Sequence, residues 1–93
     1  MTKIIFKFKV DKNIRYFLDS QGVNRSKIVN DALRNLISAN DPLKQDFIFE
    51  FDGYLTVGLD YDIYNEIKKI SKSKGIKLFY LVNIALLSYI QPS

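Results

Sequence analysis

The second half of this chain repeats the first. At an offset of 53 positions, Gly22, Val29, Asn30, Ala32, Leu33 and Ile37 meet identical residues at Gly75, Val82, Asn83, Ala85, Leu86 and Ile90. Nearer the start of each half, an offset of 49 aligns Val10, Asp11, Ile14 and Leu18 with Leu59, Asp60, Ile63 and Ile67. The difference of four residues is about one helical turn. Two amphipathic helices match in part by chance, but six identities fall here within 16 residues. All sit at helix-cap or apolar positions except Asn30. Half of a 93-residue chain buries too little apolar surface to stand alone. The two halves are therefore expected to fold against each other.

Each half reads as strand, helix, turn, helix. Over residues 3–10, Ile4, Phe6, Phe8 and Val10 share one face, while Lys3, Ile5, Lys7 and Lys9 share the other. That period of two marks a half-buried strand. Asp11 follows as an N-cap, its carboxylate accepting from the amides of the next turn. The helix behind it carries Ile14, Phe17 and Leu18 and stops at Gly22, which supplies a positive φ. Asn24 caps a second helix, in which Ile28, Val29, Ala32, Leu33, Leu36 and Ile37 recur at helical spacing. In the second half Leu55, Val57 and Leu59 alternate as a strand, and Asp60 is expected to cap as Asp11 does. Ile63, Ile67 and Ile70 mark a helix ending at Gly75, and a last helix spans Leu78–Ile90. The two repeats occupy residues 1–40 and 47–93. Residues 41–46 connect them, since Asn40 can end a helix and Pro42 prevents its continuation.

Before the second strand comes Phe47-Ile48-Phe49-Glu50-Phe51, which is itself strand-like. Asp52-Gly53 then offers a hairpin signal. A three-residue loop at Phe51, Asp52 and Gly53 places Phe47 and Phe49 opposite Val57 and Leu55 on the core face. A two-residue turn instead points three phenylalanines outward with Tyr54. The first register buries more apolar area and is the expected one. The expected fold is thus α+β, β-α-α followed by β-β-α-α, around a small antiparallel sheet.

Composition narrows the function. The chain has no cysteine and no histidine, which removes disulfides, thiolate metal sites and the commonest general base. Its carboxylates, lysines and hydroxyls form no paired constellation, so neither enzyme activity nor a metal or cofactor is expected. The first ten residues alternate instead of forming a leader, and Leu78–Ile90 is too short to span a bilayer unaided. An intracellular, cytoplasmic protein is the expectation. The formal charge is +4, unevenly spread. Residues 1–45 hold nine Lys and Arg against four Asp, whereas residues 46–93 hold five Lys against six acids. A basic face favours a polyanionic partner through counterion release; the alternative is a merely solubilising surface.

Two segments resemble the ribbon-helix-helix family of DNA-binding transcriptional regulators. One is Lys7-Phe8-Lys9-Val10-Asp11 leading into a helix. The other is Gly22-Val23-Asn24-Arg25-Ser26-Lys27-Ile28, which is similar to the family's turn between helices. The first repeat matches along its whole length, the second in apolar pattern but not in surface chemistry. The tandem arrangement resembles single-chain regulators of some archaeal viruses. The resemblance implies an intramolecular pseudo-dimer, each repeat giving one strand to an antiparallel ribbon that enters the major groove of double-stranded DNA. A third strand would widen that ribbon by about 4.8 Å against a groove about 12 Å across. The extra strand would then peel away, cover an edge or pair with another molecule.

On that resemblance Lys3, Lys7, Lys9 and Thr56 are the groove or base contacts, with lysine donating to guanine O6 and N7 or to nearby phosphates. The alternative is that alternating lysines keep a strand soluble and guard its edge. Asn24, Arg25 and Ser26 open a helix whose free amides suit a phosphate, and the resemblance assigns them to backbone anchoring. The alternative is an ordinary capped helix. In the second repeat Thr56 and Gly58 stand where the first has Lys7 and Lys9, and Lys77-Leu78-Phe79 replaces Asn24-Arg25-Ser26. Only charge remains there for a phosphate, from Lys77 with Lys72 and Lys74. Any base readout is expected to be asymmetric and dominated by the first repeat.

The last helix differs from the others. Within Leu78–Ile90 only Asn83 and Ser88 are neither apolar nor aromatic. A helix hydrophobic all round is normally buried, but so small a protein can hardly enclose one. Either it is a core helix, or Phe79, Leu87 and their neighbours form a self-association surface. The competing function is a protein-interaction module, antitoxin-like or scaffold, that works through this helix. Only Gln91, Pro92 and Ser93 follow Ile90, which leaves little room for a partner-binding tail.

Overall fold

The computed structural model describes residues 3–21, 24–39 and 48–90. The element order is β1 (Lys3–Asp11), α1 (Lys12–Gln21), α2 (Arg25–Ala39), β2 (Phe51–Asp60), α3 (Tyr61–Lys74) and α4 (Leu78–Ile90). The fold is α+β, four helices against one two-stranded antiparallel sheet. The apolar alternation of β1 and β2 positions everything else. Phe8, Val10, Leu55, Val57 and Leu59 are buried beneath the sheet, while Lys3, Ile5, Lys7, Lys9, Tyr54 and Thr56 stand on its open side. The strands pair Ile5 with Gly58, Lys7 with Thr56 and Lys9 with Tyr54.

Beneath the sheet Ile14 and Leu18 of α1, Val29, Ala32 and Leu33 of α2, and Ile63 and Ile67 of α3 complete one apolar cluster. α4 lies at its centre. Residues 81–86 are buried without interruption, because α4 touches α1, α2, α3 and β1. Its all-round hydrophobicity is accordingly that of a core helix. Among the described residues no single helix is long and apolar enough to cross a membrane.

Local chemistry sets the element ends. Asp11 Oδ1 accepts from the amides of Asn13 (2.9 Å) and Ile14 (3.2 Å), capping α1. Asn24 Oδ1 caps α2 through the amides of Ser26 (3.0 Å) and Lys27 (3.3 Å). Gly75 ends α3 in the left-handed region at φ 68°, its amide donating to the Ser71 carbonyl. Gly22, Asn40 and Pro42 lie outside the described residues.

Two expectations need correction. Asp60 stands at the N-cap of α3 but makes no side-chain cap bond. Its carboxylate goes instead to Arg34 at 2.6 Å and Lys3 at 3.8 Å, since a guanidinium within reach binds it more strongly than a neutral amide does. Asp52-Gly53 does not turn a hairpin. β2 runs straight through it, with Lys9 facing Tyr54 and Asp11 facing Phe51. Asp52 and Gly53 together oppose Val10, a β-bulge with Gly53 at φ 75°. Val57 and Leu55 pair with Phe6 and Phe8, not with Phe47 and Phe49. No third strand occurs among the described residues. Phe47 lies outside them, and Phe49 packs edge-on against Tyr80.

A candidate nucleic-acid interface

The open face of the sheet is held in place by two asparagines buried in the helices below. Asn30 Nδ2 donates to the carbonyls of Ser26 (2.7 Å) and Gly58 (2.9 Å), and its Oδ1 accepts from the Asp60 amide (2.9 Å). Asn83 repeats the pattern. Its Nδ2 donates to the carbonyls of Phe79 (2.6 Å) and Lys9 (2.8 Å), and its Oδ1 accepts from the Asp11 amide (2.9 Å). Each asparagine grips the strand of the other half. Neither stood out in the sequence as a site residue, although an identical polar residue among apolar identities was a signal of its role.

On the face they support, Lys7 and Lys9 are exposed, as are Lys3 and Thr56. Lys7 Nζ lies 4.9 Å from the Tyr54 ring centroid and Lys9 Nζ 5.4 Å from that of Phe79. These contacts restrain the ammonium groups while leaving them facing solvent. The structure thus brings all four residues expected at the groove onto one surface. It adds two that were not singled out, Tyr54 and Ile5, 53% and 81% exposed.

The N-terminus of α2 lies beside the Gly58 end of the ribbon, where Ser26 Oγ accepts from the Gly58 amide at 3.0 Å. Asn24 and Arg25 are exposed there, with Arg25 3.2 Å from Asp19. Lys27 is tied to Asp31 at 3.0 Å, and that hydrogen bond, then the carboxylate's charge, holds its ammonium above the ordinary lysine range. The N-terminus of α4, at the Tyr54 end, is different. Lys77 is exposed, but Phe79 packs edge-on against Phe51 at 5.4 Å, and Phe49 lies 5.8 Å from Phe51. Aromatic rings cover the first turn that on α2 is open and polar. Phe79 and Leu87 are both half-buried against the core.

Among the described residues no three acidic, histidine or cysteine side chains converge. The hollow lined by Gly75, Ile76, Lys77, Phe79 and Tyr80 is open and about 220 Å³, less than pockets for small ligands usually enclose. Comparison with family models, with curated proteins and with solved structures finds no match to this chain.

Proposed function

We propose that this chain is a sequence-preferring, double-stranded DNA-binding transcriptional regulator of ribbon-helix-helix type, whose two halves form an internal pseudo-dimer. The observation that carries the reading is the two-stranded ribbon itself, with Lys7 paired to Thr56 at its middle and Lys3, Lys7 and Lys9 on its open side. Two strands about 4.8 Å apart with their side chains match a groove about 12 Å wide. Four helices occupy the other side, leaving one face for a partner. The matched bonds of Asn30 and Asn83 support the pseudo-dimer: residues offset by 49 on the strands and by 53 on the helices do the same work in each half.

In this reading Lys7, Lys9, Lys3 and Thr56 face the bases, with the lysines donating to guanine O6 and N7. Asn24, Arg25 and Ser26 anchor one phosphate at the α2 N-terminus, where the exposed Arg25 guanidinium and the positive end of the helix dipole favour an anion, the amides of Ser26 and Lys27 being already taken by Asn24 Oδ1. Lys77 contributes charge at the opposite end. The test is duplex binding measured against salt for the full chain and for Lys7→Ala with Lys9→Ala. Affinity should fall steeply with salt and be mostly lost in the double variant; undiminished binding in that variant would refute the ribbon's role. Self-association through Phe79 and Leu87, and an interaction module built on α4, have less support. Residues 81–86 of α4 are enclosed, and Phe79 is already packed on Phe51.

A further inference from the structure

One residue on the open face is explained neither by charge nor by packing. Ile5 is 81% exposed. It lies between Lys3 and Lys7 along β1 and faces Gly58 across the sheet, so no cross-strand side chain covers it. Internal packing does not demand glycine there: a Cβ at position 58 would meet Lys3 Cδ at 3.5 Å and Ser26 Oγ at 4.0 Å, both ordinary contacts. The missing side chain instead leaves a shallow notch beside Ile5, bordered by the methylenes of Lys3. The Gly58 backbone is held firmly, its amide on Ser26 Oγ and its carbonyl on Asn30 Nδ2. A branched apolar side chain beside a notch, set in a row of ammonium groups, fits a base edge that carries a methyl group.

We propose that Ile5 reads the C5-methyl group of a thymine in the major groove, in one half of the bound duplex only. The inference rests on the DNA-binding reading above. Thymine alone among the four bases presents an apolar group in that groove. Outward residues on an antiparallel strand recur every ~6.8 Å, twice the rise per residue, which is about two base-pair steps. The thymine therefore lies about two base pairs from the base beside Lys7. Restriction to one half follows from the unlike ends of the ribbon. At the offset of 49, Ile5 corresponds to Tyr54 and Gly58 to Lys9. The far end carries a ring and a charge where the near end has a methyl-bearing side chain and a gap. The bound sequence is accordingly not a palindrome.

The experiment starts from duplexes enriched out of a random pool by the full chain. Each thymine is then replaced by deoxyuridine, which lacks only the methyl group. One replacement, on one side of the site's centre, should weaken wild-type binding about three- to fivefold, the effect of one buried methyl. The same replacement should leave Ile5→Ala unaffected, with the exposed substitution checked for folding by its melting temperature. The proposal is overturned if every replacement is neutral for the wild-type protein, if the loss persists in Ile5→Ala, or if two symmetric positions respond. If Ile5→Ala alters sedimentation of the free protein and leaves base preference intact, Ile5 serves contact with a second copy and does not read thymine. A pool that yields no enriched duplex overturns the DNA-binding reading itself, a result distinct from enrichment without a thymine effect.

Discussion

Asn83 holds the backbone of Asp11 from 72 residues away, accepting its amide at 2.9 Å while donating to the Lys9 carbonyl at 2.8 Å. The side chain is fully buried. Asn83→Ala would strip a partner from two backbone groups at once, each worth about 1–3 kcal/mol when left unsatisfied. We expect a loss of roughly 3 kcal/mol in urea unfolding. Asn30→Ala removes the matching bonds to Gly58 and Asp60, which are less enclosed, and should cost about 2 kcal/mol. A loss under about 0.5 kcal/mol at both positions would mean that the two clamps do not hold the ribbon.

Asp11 and Asp60 are identical in sequence position within their halves but should respond differently to removal. Asp11 caps α1 through two amides, and its second oxygen accepts from the Glu50 amide at 2.9 Å. Asp11→Ala should cost about 2 kcal/mol, the upper end for a cap. Asp60 makes no cap bond. Asp60→Ala gives up only the contacts to Arg34 and Lys3, whose side chains are half-exposed, and should cost about 1 kcal/mol or less. Equal losses in thermal unfolding would contradict the diversion of Asp60 away from its helix.

Three glycines separate by sign. Gly53 sits at φ 75°, and a Cβ there would approach Arg15 Nη1 to 2.6 Å. Arg15 can swing away but then releases the Asp52 carbonyl. Gly53→Ala should cost about 1–2 kcal/mol for the left-handed backbone, with more from the displaced arginine. Gly75, at φ 68° with nothing within 4 Å, carries the backbone penalty alone, about 1 kcal/mol. Gly58→Ala should go the other way and stabilise by about 0.5 kcal/mol. For a domain of this size each kcal/mol moves the melting temperature by roughly 4–8 °C, so a thermal scan of the three variants ranks them directly.

The Asp52-Gly53 bulge shows what local pattern cannot decide. The same dipeptide supplies the positive φ of a tight turn or of a bulge. Which one forms depends on whether the next strand partner is adjacent in sequence or, as here, β1 some forty residues earlier. The apolar alternation of both strands, all four helices and the caps at Asp11 and Asn24 follow from short-range spacing and could be read from the chain directly. Asp60 could not, because Arg34 reaches it from the other half. Nor could the enclosure of α4, which requires four other elements around it. The lysines of the open face were apparent from period two. Tyr54 was not, because the hairpin reading assigned it to a turn flank, where its pairing with Lys9 is lost.

If the chain binds duplex DNA as proposed, the unlike ends of the ribbon should be visible in how each end meets phosphate. At the α2 end Asn24 turns its oxygen inward to cap the amides of Ser26 and Lys27, and Arg25 stands exposed beside that polar turn. At the α4 end rings of Phe49, Phe51 and Phe79 cover the corresponding turn, where Lys77 is exposed and Lys9 lies over the Phe79 ring. Arg25→Ala should therefore weaken duplex binding severalfold for every sequence and lower the slope of log affinity against log salt by about 0.9, the release of one counterion. Lys77→Ala, whose flexible ammonium offers no planar fork of donors to a phosphate, should weaken binding less, with a smaller change in slope. Lys9→Ala should differ from both by altering which sequences are preferred, since a base contact discriminates and a phosphate contact does not. Equal losses for Arg25→Ala and Lys77→Ala would argue that both helix ends touch the backbone alike, and that the aromatic cover over α4 moves aside on DNA.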